Sequence, residues 1–165
     1  MFIHLDNLKG ETDLKATTID GTRFYEVPSG KMYPSITTVL SNRKAEGLHA
    51  WRKKVGDDVA NYIARTAAAR GTKVHHMCED FLNNNFDEEV HKKNFLPYTL
   101  FGQIKPHLQD KVDNIMSQEC GLYSDKYMVA GRVDCIGEYN GIPSIIDFKT
   151  STRERNDDWN ESYYI

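Results

Sequence analysis

The apolar positions of this chain change period twice. Arg23-Phe24-Tyr25-Glu26-Val27 alternates and predicts a strand, Pro28-Ser29-Gly30 a turn, and Lys31-Met32-Tyr33 the returning strand. Residues 1–22 ahead of it are polar and weakly patterned, which predicts an irregular lead-in. From Pro34 onward the spacing turns helical. Ser35 is a candidate N-cap for a short helix carrying Ile36, Val39 and Leu40. A longer helix is expected over about residues 46–69, with Trp51, Val55, Val59 and Tyr62 or Ile63 as its apolar stripe. The next is expected over residues 72–84. Val74, Met77, Cys78, Phe81 and Leu82 share one face of it, and Asn83-Asn84-Asn85 ends it. A further helix is expected to begin near Lys105, with Pro106 in its first turn and Leu108, Val112, Ile115 and Met116 buried.

After Gln118 the period falls to two. Strands are expected at about residues 119–123, 127–139 and 142–150. Asn140-Gly141 between the last two is a strong signal for a two-residue hairpin turn. If those two residues form the turn, Tyr139 faces Ile142, Asp134 faces Asp147, and Arg132 faces Lys149. Asp134, Asp147 and Lys149 then project from one face, because side chains alternate along a strand. Directly opposed carboxylates repel. A hard divalent cation, a shared proton or solvent can relieve them. Ile136 and Ile145 on the same face predict at least partial cover, which makes solvent alone a poor answer.

Mg²⁺ or Mn²⁺ prefers oxygen ligands. Two carboxylates beside a lysine therefore make a plausible centre for metal-assisted phosphodiester hydrolysis, with Lys149 orienting water and neutralising charge. The alternative is a pair of ordinary strand aspartates in surface salt bridges with Lys149 and Arg132. Gly71, His75 and Glu79, spaced by four, stack along one stripe of a helix. The stripe of Val74, Cys78 and Phe81 beside it is expected to pack on the sheet and bring His75 and Glu79 near the hairpin carboxylates. Gly71, at the first turn of that helix, is expected to admit another backbone closely.

Composition narrows the picture. The 165 residues, 39% hydrophobic and 27% charged, suit one packed core, read as a single domain over 1–165 with an N-terminal hairpin and helical part (1–69) and a catalytic core (70–165). No apolar run is long enough to span a bilayer, and residues 1–10 lack a secretory pattern. Cys78, Cys120 and Cys135 form neither a disulfide framework nor a zinc pattern, so reduced thiols in a cytoplasmic setting are expected. The net charge is −3, but residues 1–73 hold 12 basic and 8 acidic side chains while residues 74–165 hold 9 and 16. A basic half can track phosphates and an acidic half can hold cations. Tyr25, Tyr33, Arg52 and Lys53, among Arg23, Phe24, Lys31, Trp51 and Lys54, are candidates for stacking bases and contacting phosphates.

Gly71-x3-His75-x3-Glu79, then Gly131-Arg132-x-Asp134, then Asp147-Phe148-Lys149-Thr150-Ser151 together resemble the RecB-like branch of the PD-(D/E)XK nuclease superfamily. The spacing is most similar to exonucleases of mitochondrial genome maintenance and their phage relatives. Tyr33-Pro34-Ser35-Ile36-Thr37-Thr38-Val39-Leu40 and Trp51 also look like that group's N-terminal region.

The resemblance implies an α/β (α+β) restriction-endonuclease-like core, a mixed β-sheet flanked by helices, with divalent-metal catalysis on single-stranded DNA or DNA ends. By position it implies His75, Asp134 and Asp147 as metal ligands, the carbonyl of Phe148 as a further one, and Lys149 as the catalytic lysine. Glu79 matches the helix motif, Arg132 is carried over as a DNA contact, and Glu119 is a candidate behind the ligands. The group continues with a Gln-x3-Tyr helix and another strand, whereas this sequence ends at Ile165. The expectation is a C-terminally truncated core, with an open sheet edge and exposed Tyr163, Tyr164 and Ile165 favouring self-association. Two alternatives stand beside a DNA exonuclease. One is an incomplete nuclease that only binds nucleic acid or a partner. The other is a structure-specific or restriction-type endonuclease. A phage or its bacterial host is the expected source.

Overall fold

The computed structural model describes residues 1–5, 13–41 and 45–151. Expectations for the C-terminal stretch, including Tyr163, Tyr164 and Ile165, lie outside the described residues. The fold is mixed α and β. A three-stranded antiparallel sheet, β1 (Lys15–Ile19), β2 (Thr22–Glu26) and β3 (Met32–Pro34), leads into α1 (Ile36–Ser41), α2 (Ala45–Val55), α3 (Asp57–Leu82), α4 (Glu88–His91) and α5 (Phe95–Lys111). A second antiparallel sheet follows, β4 (Val112–Ser124), β5 (Val129–Tyr139) and β6 (Ile142–Ile146), in the order β4-β5-β6. Parallel pairing among the described residues is limited to two isolated bridges, His4 with Ile115 and Ser35 with Ala130.

Several elements differ from the expectations. The lead-in is not irregular throughout: Lys15–Ile19 pairs with β2, and Ile3 and Leu5 exchange backbone hydrogen bonds with Ile115 at 2.7 and 2.8 Å. The two helices expected over 46–69 and 72–84 divide elsewhere. The break falls at Gly56, whose φ of 86° a side chain disfavours, and α3 then runs unbroken for 26 residues. That helix crosses the boundary drawn at residue 69/70, and Gly71 lies in its interior. A Cβ on Gly71 would make only ordinary contact, 3.6 Å, with the Thr150 hydroxyl, so no backbone approach requires glycine there.

The last helix, α5, starts at Phe95, with Asn94 before it. Its first-turn proline is Pro97, where the missing N–H would have had no partner in any case. Pro106 sits inside the helix. Val112 and Ile115 are buried as expected, but in β4. Residues three apart on a regular strand face opposite sides. Asn114, with φ 48°, marks an irregularity between Asp113 and Ser117 that changes the parity and turns both inward. The bulge therefore imitates helical spacing.

The main core gathers Val74, Met77, Cys78 and Leu82 from α3, Phe101 and Leu108 from α5, Val112, Ile115 and Cys135 from the sheet, and Phe148 beyond β6. Phe86 stacks on Phe101 at 4.7 Å, and Phe81 meets both edge-on. A smaller core of Leu14, Tyr25, Val27, Tyr33 and Ala130 fixes the first sheet against β5. The hairpin forms as expected: Asn140 and Gly141 have φ 53° and 76°, and Tyr139 faces Ile142. All three cysteines are buried and unpaired, and burial pushes the Cys78 and Cys135 thiols up to about 12. No described helix is long and apolar enough to cross a membrane.

Candidate metal centre and its groove

Three elements bring three ligand-type side chains together. Asp134 lies in β5, and Glu119 occupies the matching position of β4, between the pairs Gln118–Cys135 and Cys120–Val133. Two carboxylates are thus opposed across the β4–β5 ladder, where like charges destabilise. His75 reaches them from α3, with Nδ1 3.4 Å from Asp134 Oδ1. One donor atom from each of His75, Glu119 and Asp134 lies within 4.8 Å of the others. Glu119 adopts φ 49°, a left-handed conformation that costs a non-glycine residue energy. The strain is located where two acids and an imidazole converge.

The electrostatics follow from that crowding. Burial, then the charges of Asp134 and Glu79, raise the pKa of Glu119. For Asp134, burial favours the neutral acid, but hydrogen bonds from His75 and the Phe148 N–H outweigh it and hold the pKa below the ordinary value. The Phe148 N–H donates to Asp134 Oδ2 at 2.6 Å. The hydrogen bond to Asp134 raises the pKa of His75 against the opposing effect of burial, and the Phe148 carbonyl adds to the rise. The Asp134 carboxylate thus favours the charged form of the imidazole. One nitrogen and two carboxylate oxygens form a donor set that suits a hard or borderline divalent cation equally well.

The other expected residues are placed as follows. The expected register is present as far as Cys135–Ile146, where β6 ends. Asp147 therefore does not continue the ladder opposite Asp134 and is not one of the three clustered groups. Its carboxylate pairs with Lys149 Nζ at 2.5 Å, and both side chains are substantially exposed. Ile145 is 64% exposed, so the hairpin face is more open to solvent than its isoleucines implied. Phe148 is buried and stands edge-on to His75 at 6.0 Å. Glu79 borders the same groove and contacts His76 at 3.4 Å.

That groove, about 800 Å³, runs between α3, β5 and the first sheet. Gly71, His75 and Glu79 line it together, as their four-residue spacing predicts, while Val74 and Cys78 of the adjacent stripe enter the core. Arg132 and Arg23 border it as well, and both are exposed. Tyr25 contributes to the wall but is 4% exposed; Tyr33 is 5% exposed, with its hydroxyl donating to Asp125 at 2.5 Å. Arg52 is paired with Asp57 at 2.7 Å, and Lys53 is exposed on α2.

Sequence reasoning did not place Glu119 opposite Asp134, because that opposition depends on the β4–β5 register, and no turn signal announces that register. It also missed what Gly131 does: a Cβ there would lie 2.9 Å from Ile36 Cγ2, so glycine lets α1 close against β5 at the groove.

No family model matches this chain. It is similar to human mitochondrial genome maintenance exonuclease 1, at 23% identity over 130 residues, covering 74% of this chain and 38% of that protein. The chain thus spans well under half the length of the curated relative it matches.

Proposed function

We propose that this chain is a divalent-metal-dependent nuclease of the RecB-like PD-(D/E)XK type, hydrolysing DNA phosphodiesters from single-stranded ends. The observation that carries the reading is the His75–Glu119–Asp134 cluster on a groove also bordered by guanidinium groups. The similarity to a mitochondrial exonuclease supports it independently.

The residues present fit a metal: opposed, partly buried carboxylates and an imidazole offer a mixed oxygen and nitrogen set, at a strained backbone position. His75, Glu119 and Asp134 would hold the ion, with Asp147 and the Phe148 carbonyl as the further donors the motif supplies. Bound Mg²⁺ or Mn²⁺ would polarise the phosphate and stabilise the developing charge. Lys149 provides a positive charge to neutralise the transition state and orient water. Glu79, on the same groove, can accept a proton. Arg132, with Arg52, Lys53, Tyr25 and Tyr33 as flanking contacts, would hold the strand. A cytoplasmic setting and a single domain over 1–165 belong to the same reading, and so does self-association through the β6 edge.

The pairing of Asp147 with Lys149, with Asp147 outside the three clustered groups, favours a second reading: a module that binds nucleic acid without cutting it. Hydrolysis of end-labelled single-stranded DNA with added Mn²⁺, compared with Lys149→Ala, decides between them. Metal-dependent cleavage lost in the variant is expected. Binding without cleavage by the unaltered protein would select the second reading. Cutting of covalently closed circular DNA would identify an endonuclease.

A further inference from the structure

We propose that the first half of α3 is a contact surface between two copies of this chain, which pair antiparallel through Val59, Tyr62 and Ile63. This surface is distinct from the β6 edge and independent of the nuclease reading.

Val59, Tyr62 and Ile63 are all exposed. With about 100° between successive helical residues, they form one stripe roughly 100° wide, completed by the exposed Thr66. The preceding helix does not cover it. Arg52 of α2 bonds to Asp57 at 2.7 Å and to Asn61 at 2.9 Å, and both of those residues lie across α3 from Val59. The groove residues Ala68, Thr72 and Glu79 occupy that far side as well, so a partner lying over Val59 leaves the groove open.

A contiguous exposed apolar surface marks an interaction site, and the charges beside this one select the occupant. Asp58 and Arg65, both exposed, stand on one flank of the stripe, about 10 Å apart along the helix. They are too far apart to pair with each other, since helical neighbours are three or four residues apart. Neither forms an ion pair with another described residue. A second copy turned antiparallel about an axis near Tyr62 sets its Arg65 against Asp58 and its Asp58 against Arg65. A two-fold contact repeats each pair in this way. A parallel copy would instead set aspartate against aspartate and arginine against arginine. The stripe is therefore complementary to itself in one direction only. The contact, about two and a half turns of helix, is smaller than a standard interface, so pairing is weak and depends on concentration. At the low concentrations of a denaturation experiment the chain is a monomer and this half of α3 stands open.

The test is sedimentation equilibrium over a series of concentrations, which reads the rise of mean mass from 19.0 kDa towards twice that value. Asp58→Arg and Arg65→Asp should each weaken pairing by about tenfold, because two exposed ion pairs become two repulsions. An equal mixture of the two variants should recover it, and so should a chain carrying both changes. Recovery excludes misfolding as the cause of either loss. Three outcomes would overturn the proposal. The first is an unaltered chain that stays at 19.0 kDa up to its solubility limit. The second is loss of pairing in both variants without recovery on mixing. The third is pairing that ignores the reversals but is lost in Ile145→Asp, which would move the contact to the β6 edge.

Discussion

Along the first half of α3, Val59, Tyr62 and Ile63 are 50%, 62% and 45% exposed, whereas along the second half Val74, Met77, Cys78 and Leu82 are all buried, at 3% or less. Both halves carry apolar residues at helical spacing, and both are helix. They differ in what lies alongside. The second half packs against α5, the sheet and Phe148 in one core, while the first half contributes only Ala60 to the buried residues of the helix. His75 belongs to the packed half, so its ring is held between Asp134 and Phe148. Periodicity reports helix; a facing surface decides burial, and burial is what makes a side chain precise enough to share a metal.

Four measurements would sharpen or break that contrast. The largest effect is expected at the packed half's partner: Asp134→Asn should abolish Mn²⁺ binding by calorimetry and lower any hydrolysis by about a thousandfold or more. Retained binding would detach the helix from the site. Leu82→Ala should cost about 2–5 kcal/mol in chemical denaturation, because it empties a fully buried position.

A smaller effect concerns pH. Glu119 and His75 both have raised pKa values, and both must lose a proton to serve as ligands. Mn²⁺ affinity should therefore rise with pH through the elevated carboxylate range and again through the elevated imidazole range, by up to about tenfold per unit for each proton released. Glu119→Gln should remove the lower limb; a pH-independent affinity would contradict the assignment. The smallest effect belongs to the open half: Tyr62→Ala should change stability by no more than about 0.5 kcal/mol. A loss comparable with that of Leu82→Ala would show that the open half is covered in solution.

The hairpin was the most legible part of the chain, because Asn140-Gly141 has few alternatives to a two-residue turn and fixes the pairing of β5 with β6 locally. The buried face of Val74, Met77, Cys78 and Leu82 was equally readable, as was the groove stripe of Gly71, His75 and Glu79 beside it. The helix break was not. Gly56 and Gly71 look alike in sequence, and only the backbone shows that the first takes a positive φ while the second sits in a continuous helix. The start of β4 was hidden because the bulge at Asn114 gives a strand the spacing of a helix.

By itself, then, the sequence determined the local geometry whose causes are local: the turn, the stripes of α3, and the register from Tyr139–Ile142 to Cys135–Ile146. It also supplied the residue types of a metal centre. Only the tertiary structure decided which of them meet. Glu119 and Asp134 are opposed by long-range pairing of β4 with β5, and His75 joins them because α3 is packed against that sheet. Asp147, which counting from the turn places opposite Asp134, lies just past the end of β6 and pairs with Lys149. A turn fixes register only as far as the ladder persists, and where a ladder ends depends on packing and on competing partners, here the Phe148 N–H on Asp134.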